Sequence, residues 1–252
     1  MEDEVLLEAR GLVREFSGGY GVWDLDLSLH RGEVLGLLGP NGAGKSTVLQ
    51  MLSGNRVPVR GTVHINGIDL LAQPRAARAC VGYLPEQPPV YRDLSVQEYL
   101  RYCARLHGLA GRVLTAAVER ACQYCGLDAV RKRLIGNLSK GFQQRVGIAQ
   151  AILHQPDVII LDEPTVGLDP LQVRELRALI RELGQACSLI LSTHVFQEVE
   201  AVCNRVQILN QGRTLLTDSL ANIGSLEQVF FDRVYRDDPA LESKPPGQEA
   251  GT

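Results

Sequence analysis

The chain has 252 residues, enough to bury one large core or a core with a subdomain. Hydrophobic residues make up 45% and charged residues 22%, an ordinary globular composition. A net charge of -3 runs against the basic balance of a general nucleic-acid binder, so no nucleic-acid partner is expected.

The start, Met1-Glu2-Asp3-Glu4, is acidic and does not read as a signal peptide. A membrane-spanning helix needs roughly 20 mainly apolar residues, and runs such as 34–38 and 158–161 are far shorter. A cytoplasmic protein is expected, with any membrane role supplied by a partner. Short apolar strands alternate with helical stretches. Residues 25–29 alternate apolar and polar, as a half-buried strand does. Residues 34–38 form a compact apolar run ending at glycine, as a buried strand does. Further strands are expected at 62–65, 80–84, 158–161, 189–191 and 206–209. Leu176, Leu179, Ile180 and Leu183 share one face of a helix that starts near Pro170. Between about 88 and 155 no strong strand run occurs, while 96–106, 114–125 and 142–153 look helical. This segment reads as an α-helical subdomain inserted into an α/β core. Of the six cysteines only Cys122 and Cys125 are closely spaced, and no second pair or matching histidines follow. They read as packing residues. The polar, proline- and glycine-rich segment 237–252 is expected to be disordered. No internal repeat is seen, so the chain carries one nucleotide site's worth of motifs.

The chemistry begins at Gly39-Pro40-Asn41-Gly42-Ala43-Gly44-Lys45-Ser46-Thr47, a complete P-loop placed after a strand and before a helix. Its glycines let backbone N–H groups turn towards phosphate oxygens, and the following helix aims its positive end at the same anion. Lys45 adds charge at the β- and γ-phosphates, and Ser46 offers a hydroxyl to Mg²⁺. The apolar run 158–161 then delivers Asp162 and Glu163 at a strand tip. Asp162 is placed to hold Mg²⁺. Glu163 points elsewhere, since neighbours on a strand alternate faces, and is free to polarise a water at the γ-phosphate.

Later motifs complete a pattern. Leu138-Ser139-Lys140-Gly141-Phe142-Gln143-Gln144-Arg145 resembles the signature of ABC-type ATPases, Gly167-Leu168-Asp169-Pro170 their D-loop, and His194 their switch histidine. Each is weak alone; their joint order over residues 5–217 carries the resemblance. It implies an α/β fold with a P-loop NTPase core, a mixed or parallel sheet with flanking helices, an antiparallel β region and the helical insertion, all within 1–236. It also implies ATP and Mg²⁺ as cofactors and a head-to-tail pairing with a second copy or a related nucleotide-binding subunit. Ser139 and Gly141 would then bind the γ-phosphate across the interface, His194 would hold the γ-phosphate and water, and Asp169 would communicate between sites.

Two departures stand out. Glu86 occupies the position of the family's Gln-loop glutamine, with Gln87 beside it, so both are candidates near the metal. The signature carries Lys140 and Phe142 where glycine and glutamine are usual. Phe16 sits where the family places an aromatic against adenine, with Tyr20 as the alternative. Pro89, Val90 and Tyr91 would be exposed apolar residues that receive a membrane permease subunit. Tyr83-Leu84-Pro85-Glu86 and the signature resemble members serving ABC-2-type exporters, implying a peripheral location on the inner face of the membrane. The alternative is a soluble ABC ATPase acting in translation or DNA repair. The single cassette argues against the first, and the small helical insert between the P-loop and Asp162 against the second. Glu163 argues against a module that only holds ATP.

Overall fold

The structure, a computed structural model, describes residues 4–235; Met1 to Asp3 and the tail expected over 237–252 lie outside the described residues. In chain order the strands are β1 (Val5–Glu15), β2 (Gly21–His30), β3 (Val34–Leu38), β4 (Arg60–Ile65), β5 (Ile68–Asp69), β6 (Val81–Leu84), β7 (Val158–Asp162), β8 (Ser188–Thr193), β9 (Arg205–Asn210) and β10 (Arg213–Ser219). The helices are α1 (Lys45–Leu52), α2 (Pro74–Ala79), α3 (Val96–Leu106), α4 (Gly111–Tyr124), α5 (Lys140–Ile152), α6 (Pro170–Ala186), α7 (Phe196–Val202) and α8 (Leu226–Tyr235).

Two sheets form. The order β2-β1-β4-β5 makes an antiparallel sheet, and β10-β9-β3-β8-β7-β6 makes a larger one, parallel except for β10. Strands β3, β7 and β8 are buried along their whole length, because neighbours and helices cover both faces. Their central residues are accordingly apolar at consecutive positions rather than at alternating ones. The register pairs Leu38 with Thr193, Asp162 with Ser192, and Leu84 with Leu161. Strands β3, β8, β7 and β6 therefore end at one edge of the sheet, the place where open α/β sheets bind ligands.

Helices α3, α4 and α5 share a core that includes Leu100, Val118, Cys122 and Ile148, and this core runs on into Leu161 of β7 and Leu179 of α6. Ser95 starts α3 with a reciprocal cap: its Oγ accepts from the Glu98 N–H, and Glu98 Oε2 accepts from the Ser95 N–H. Helix α5 lies almost on the backbone of β6. A Cβ at Gly82 would fall 2.2 Å from the Ala151 carbonyl oxygen, so only glycine permits that approach. Cys122 and Cys125 are both fully buried here, and burial pushes both thiols up. Among the described residues no helix is long and apolar enough to cross a membrane.

The structure departs from the sequence expectations in definite places. Cys80, expected to open a strand, instead closes α2. Strand β2 begins at Gly21 rather than 25, and β1, β5, β10, α2, α7 and α8 carry no expectation at all. Val90, expected to be exposed, is half-buried against the helical core, whereas Pro89 and Tyr91 are exposed. Tyr91 packs edge-on against Tyr99 and Tyr102, with centroids 6.0 and 5.6 Å apart.

Candidate nucleotide site

The four strand tips surround a cavity of about 450 Å³, lined by residues 41–47, Glu86, Glu163, Val166 and His194. The loop after β3 forms its floor. Gly44 caps α1 with φ of 99°, a left-handed conformation that lets the loop turn directly into the helix. The first turn of α1 thus opens its N–H groups and its positive dipole end on the cavity. Lys45 is 6% exposed, and its Nζ donates to the carbonyl oxygens of Gly39 at 2.7 Å and Pro40 at 3.2 Å.

Strand β7 brings the carboxylates. Asp162 is buried, and its Oδ1 accepts from Ser192 Oγ at 2.6 Å and Ser46 Oγ at 3.1 Å. Burial is the main cause that raises its pKa; the two serine hydrogen bonds oppose it, and the charges of Glu163 and Glu86 add to it. The strand stops at Asp162. Glu163 has φ of 45° and so leaves in a new direction through a turn, not through the face alternation of a continuing strand. Its N–H donates to Ser192 Oγ at 3.0 Å and to the Ser192 carbonyl at 3.2 Å, which fixes the turn. The Glu163 carboxylate is then divided: Oε1 lies 3.1 Å from Lys45 Nζ and Oε2 lies 2.9 Å from His194 Nδ1. A carboxylate this enclosed requires such partners, since an unpaired buried charge is costly.

The sequence-derived candidates fall into two groups. Asn41, Gly42, Ala43, Gly44, Lys45, Ser46, Thr47, Glu86, Glu163 and His194 line the cavity, and Asp162 reaches its edge through Ser46. Gln87 is exposed and does not line it, because the chain past β6 turns away after Glu86. Phe16 also lies outside the lining, with the Arg14 and Arg56 guanidinium carbons 5.6 and 5.1 Å from its ring centroid. Tyr20 is largely exposed. Ser139 caps α5, its Oγ accepting from the Phe142 N–H at 3.4 Å, and Asp169 caps α6 by accepting from the Gln172 N–H at 3.0 Å. Neither lines the cavity of this subunit. These two helix starts touch: the Lys140 amine lies over Gly167, and the Gln172 side chain covers Gly141.

Sequence reasoning missed Ser192, which binds both acidic residues, and Val166 in the wall. The signal for Ser192 was its position, a hydroxyl residue at a strand tip two places before His194.

A family profile described as ABC transporter matches residues 22–166. The ABC transporter ATP-binding protein NatA of Bacillus subtilis is 34% identical over 223 residues, covering 85% of this chain and 91% of that protein. The Nod factor export ATP-binding protein I of a Rhizobium species is 33% identical over 221 residues, covering 86% of this chain and 71% of that protein. One longer relative is spanned over 37% of its length. A solved structure described as the ATP-binding subunit of an ABC transporter superposes with a TM-score of 0.77 at 32% identity, over 90% of this chain and 94% of that one. A glycine-rich turn at a helix start with two acidic residues opposite it, and likeness at this level along most of the chain, lead to one conclusion: the chain belongs to the ATP-binding proteins of ABC transporters, and it binds and hydrolyses ATP.

Proposed function

We propose that the cavity is the ATP site of an exporter's motor subunit, with the roles of its residues as follows. The triphosphate lies against the N–H groups of residues 41–47 and the N-terminus of α1. Lys45 moves from Glu163 to the β- and γ-phosphates. Ser46 and Asp162 offer an all-oxygen donor set, the kind that hard cations take, and the raised pKa of Asp162 fits a carboxylate that a cation would hold ionised. Mg²⁺ bound there supplies positive charge to phosphate oxygens. Glu163 accepts a proton from the attacking water, whose oxygen bonds to the γ-phosphorus as the bond to the bridging oxygen breaks, giving ADP and phosphate. His194 orients Glu163 and the γ-phosphate. The observation that carries this reading is the division of the buried Glu163 carboxylate between Lys45 and His194 at the cavity wall.

Ser139 and Gly141 do not face this cavity, which supports their use by a second copy or a related subunit whose ATP they would cover, with Asp169 beside them. Export is supported by the likeness to a Nod factor export protein, and a permease at the membrane's inner face would seat near Pro89 and Tyr91. The test is Glu163→Gln with Mg-ATP. Turnover should fall about 100-fold or more while ATP stays bound and a dimer persists in size-exclusion chromatography. Unchanged turnover would falsify the role of Glu163, and Lys45→Ala with unaltered ATP affinity would remove the phosphate cradle.

A further inference from the structure

A second buried carboxylate lies behind the cavity wall. Glu198 on α7 is 3% exposed. Its Oε1 accepts from Thr165 Oγ1 at 2.5 Å and its Oε2 from Thr193 Oγ1 at 2.6 Å. Arg177 of α6 adds a pair to Oε1 at 3.5 Å. Both threonines are buried, and Thr193 Oγ1 also accepts from the Val195 N–H at 3.1 Å. Charge-assisted O–H···O bonds of this length are among the stronger ones in proteins, and a buried carboxylate with such donors fixes them in place.

The position of the two threonines gives this arrangement its meaning. Thr165 follows Glu163 by two residues, and Thr193 directly precedes His194. The ladder between β7 and β8 ends at the pair Asp162 and Ser192, and the Glu163 N–H to Ser192 carbonyl bond is the last backbone link. Past that point no further backbone hydrogen bond joins the turn bearing Glu163 to the turn bearing His194 among the described residues. Glu198 bridges them with one oxygen each, and through Arg177 it draws in the helix that starts at Asp169.

We propose that Glu198 is a positioning residue for ATP hydrolysis: it clamps the segment after Glu163 to the segment before His194, and so holds the Glu163–His194 contact of 2.9 Å. The proposal rests on the assignment of Glu163 and His194 to turnover. Glu198 does not line the cavity, so its effect is on kcat and not on ATP capture, which depends on the loop after β3.

The test compares Thr165→Val and Thr193→Val, which keep shape and lose the hydroxyl, with Thr165→Ser and Thr193→Ser, which keep the hydroxyl, in steady-state Mg-ATPase assays. The valine variants should lose about 10-fold or more in kcat with KM for ATP within about 3-fold, and the serine variants should recover most of the loss. Glu198→Ala should lose at least as much kcat as either valine variant; if it fails to fold, the threonine series still decides. A kcat within about 2-fold in both valine variants, or serine variants as impaired as valine ones, overturns the clamp. Glu163→Gln in the same assay separates the two readings. If it stays active, the site assignment and the clamp fall together; if it is dead and the valine variants are normal, the clamp alone falls.

Discussion

Ser192→Ala tests the geometry of the acidic pair most directly. The Ser192 side chain is fully buried, donates to Asp162 at 2.6 Å and accepts from the Glu163 N–H at 3.0 Å. Alanine removes both. The Glu163 N–H keeps the Ser192 carbonyl at 3.2 Å, so the turn retains a partner. Asp162 keeps only Ser46 Oγ at 3.1 Å, a longer bond. The loss is therefore one charge-assisted hydrogen bond to a buried carboxylate, about 2 kcal/mol, which lowers Tm by roughly 4–8 °C in a chain of this size. The pH dependence follows from the direction of the Asp162 shift. Its pKa is already raised by burial, and Ser192 is the leading group that holds it down. Without Ser192 the folded pKa rises further, so the ionised form destabilises the fold at neutral pH and the penalty is relieved as pH falls through the folded pKa. Thermal denaturation at pH 7 and pH 5 measures this: the deficit relative to the unaltered protein should shrink at the lower pH. A Tm within about 1 °C at pH 7, or a deficit that grows on acidification, refutes the reasoning.

Glu86→Gln removes one of the charges that raise Asp162, so ATP should bind a few-fold tighter and the Mg²⁺ concentration for half-maximal ATPase should move; titrations superimposable on those of the unaltered protein would place Glu86 outside the site. Burial lowers the His154 pKa to about 4, the stacked His107 ring 3.9 Å away adds to this, and the Val81 carbonyl opposes it. The stabilising effect of a neutral His154 is complete above pH 6.5 and is lost as pH falls towards 4, at most about 2 kcal/mol after allowance for its partial exposure. The urea midpoint should thus drop on going from pH 7 to 5, and drop less in His154→Phe; equal drops would contradict the assignment. Gly82→Ala places a Cβ 2.2 Å from a backbone oxygen that cannot rotate away, so it should cost about 3 kcal/mol or more by chemical denaturation, and a cost under about 1 kcal/mol would show that α5 can withdraw.

The parts that sequence made legible are those in which one residue type serves one short-range need. The glycine-rich loop, the apolar run before Asp162 and the helix face from Leu176 to Leu183 each carry a local pattern. Strand β1 did not, because register shifts between Ala9 and Leu12 and between Leu12 and Arg14 break its alternation. Strand β10 has no fully buried residue and so no apolar stripe to read, and α7 is only 7 residues long. At the site, the acidic pair was visible but the reason for their different directions was not, since it lies in the positive φ of Glu163. Thr165 and Glu198 were illegible for another reason, and Ser192 was legible only through its place before His194. Small hydroxyl residues and a helix glutamate are common everywhere, and only the pairing of β7 with β8 brings these together.

The near-contact of α5 with β6 also has a mechanical meaning. Beyond its tip β6 leads to Glu86 and then to Pro89 and Tyr91, while α5 opens at Ser139. With Gly82 against Ala151, and Gly147 so close to Leu84 that a Cβ would lie 2.5 Å from its side chain, the strand and the helix have no slack between them. The pairs Gly82–Ala151 and Leu84–Gly147 run in opposite chain directions, so the tip of β6 and the Ser139 start of α5 lie towards the same end of one stiff unit. A push that moves the tip of β6 would therefore carry the Ser139 turn with it as one body.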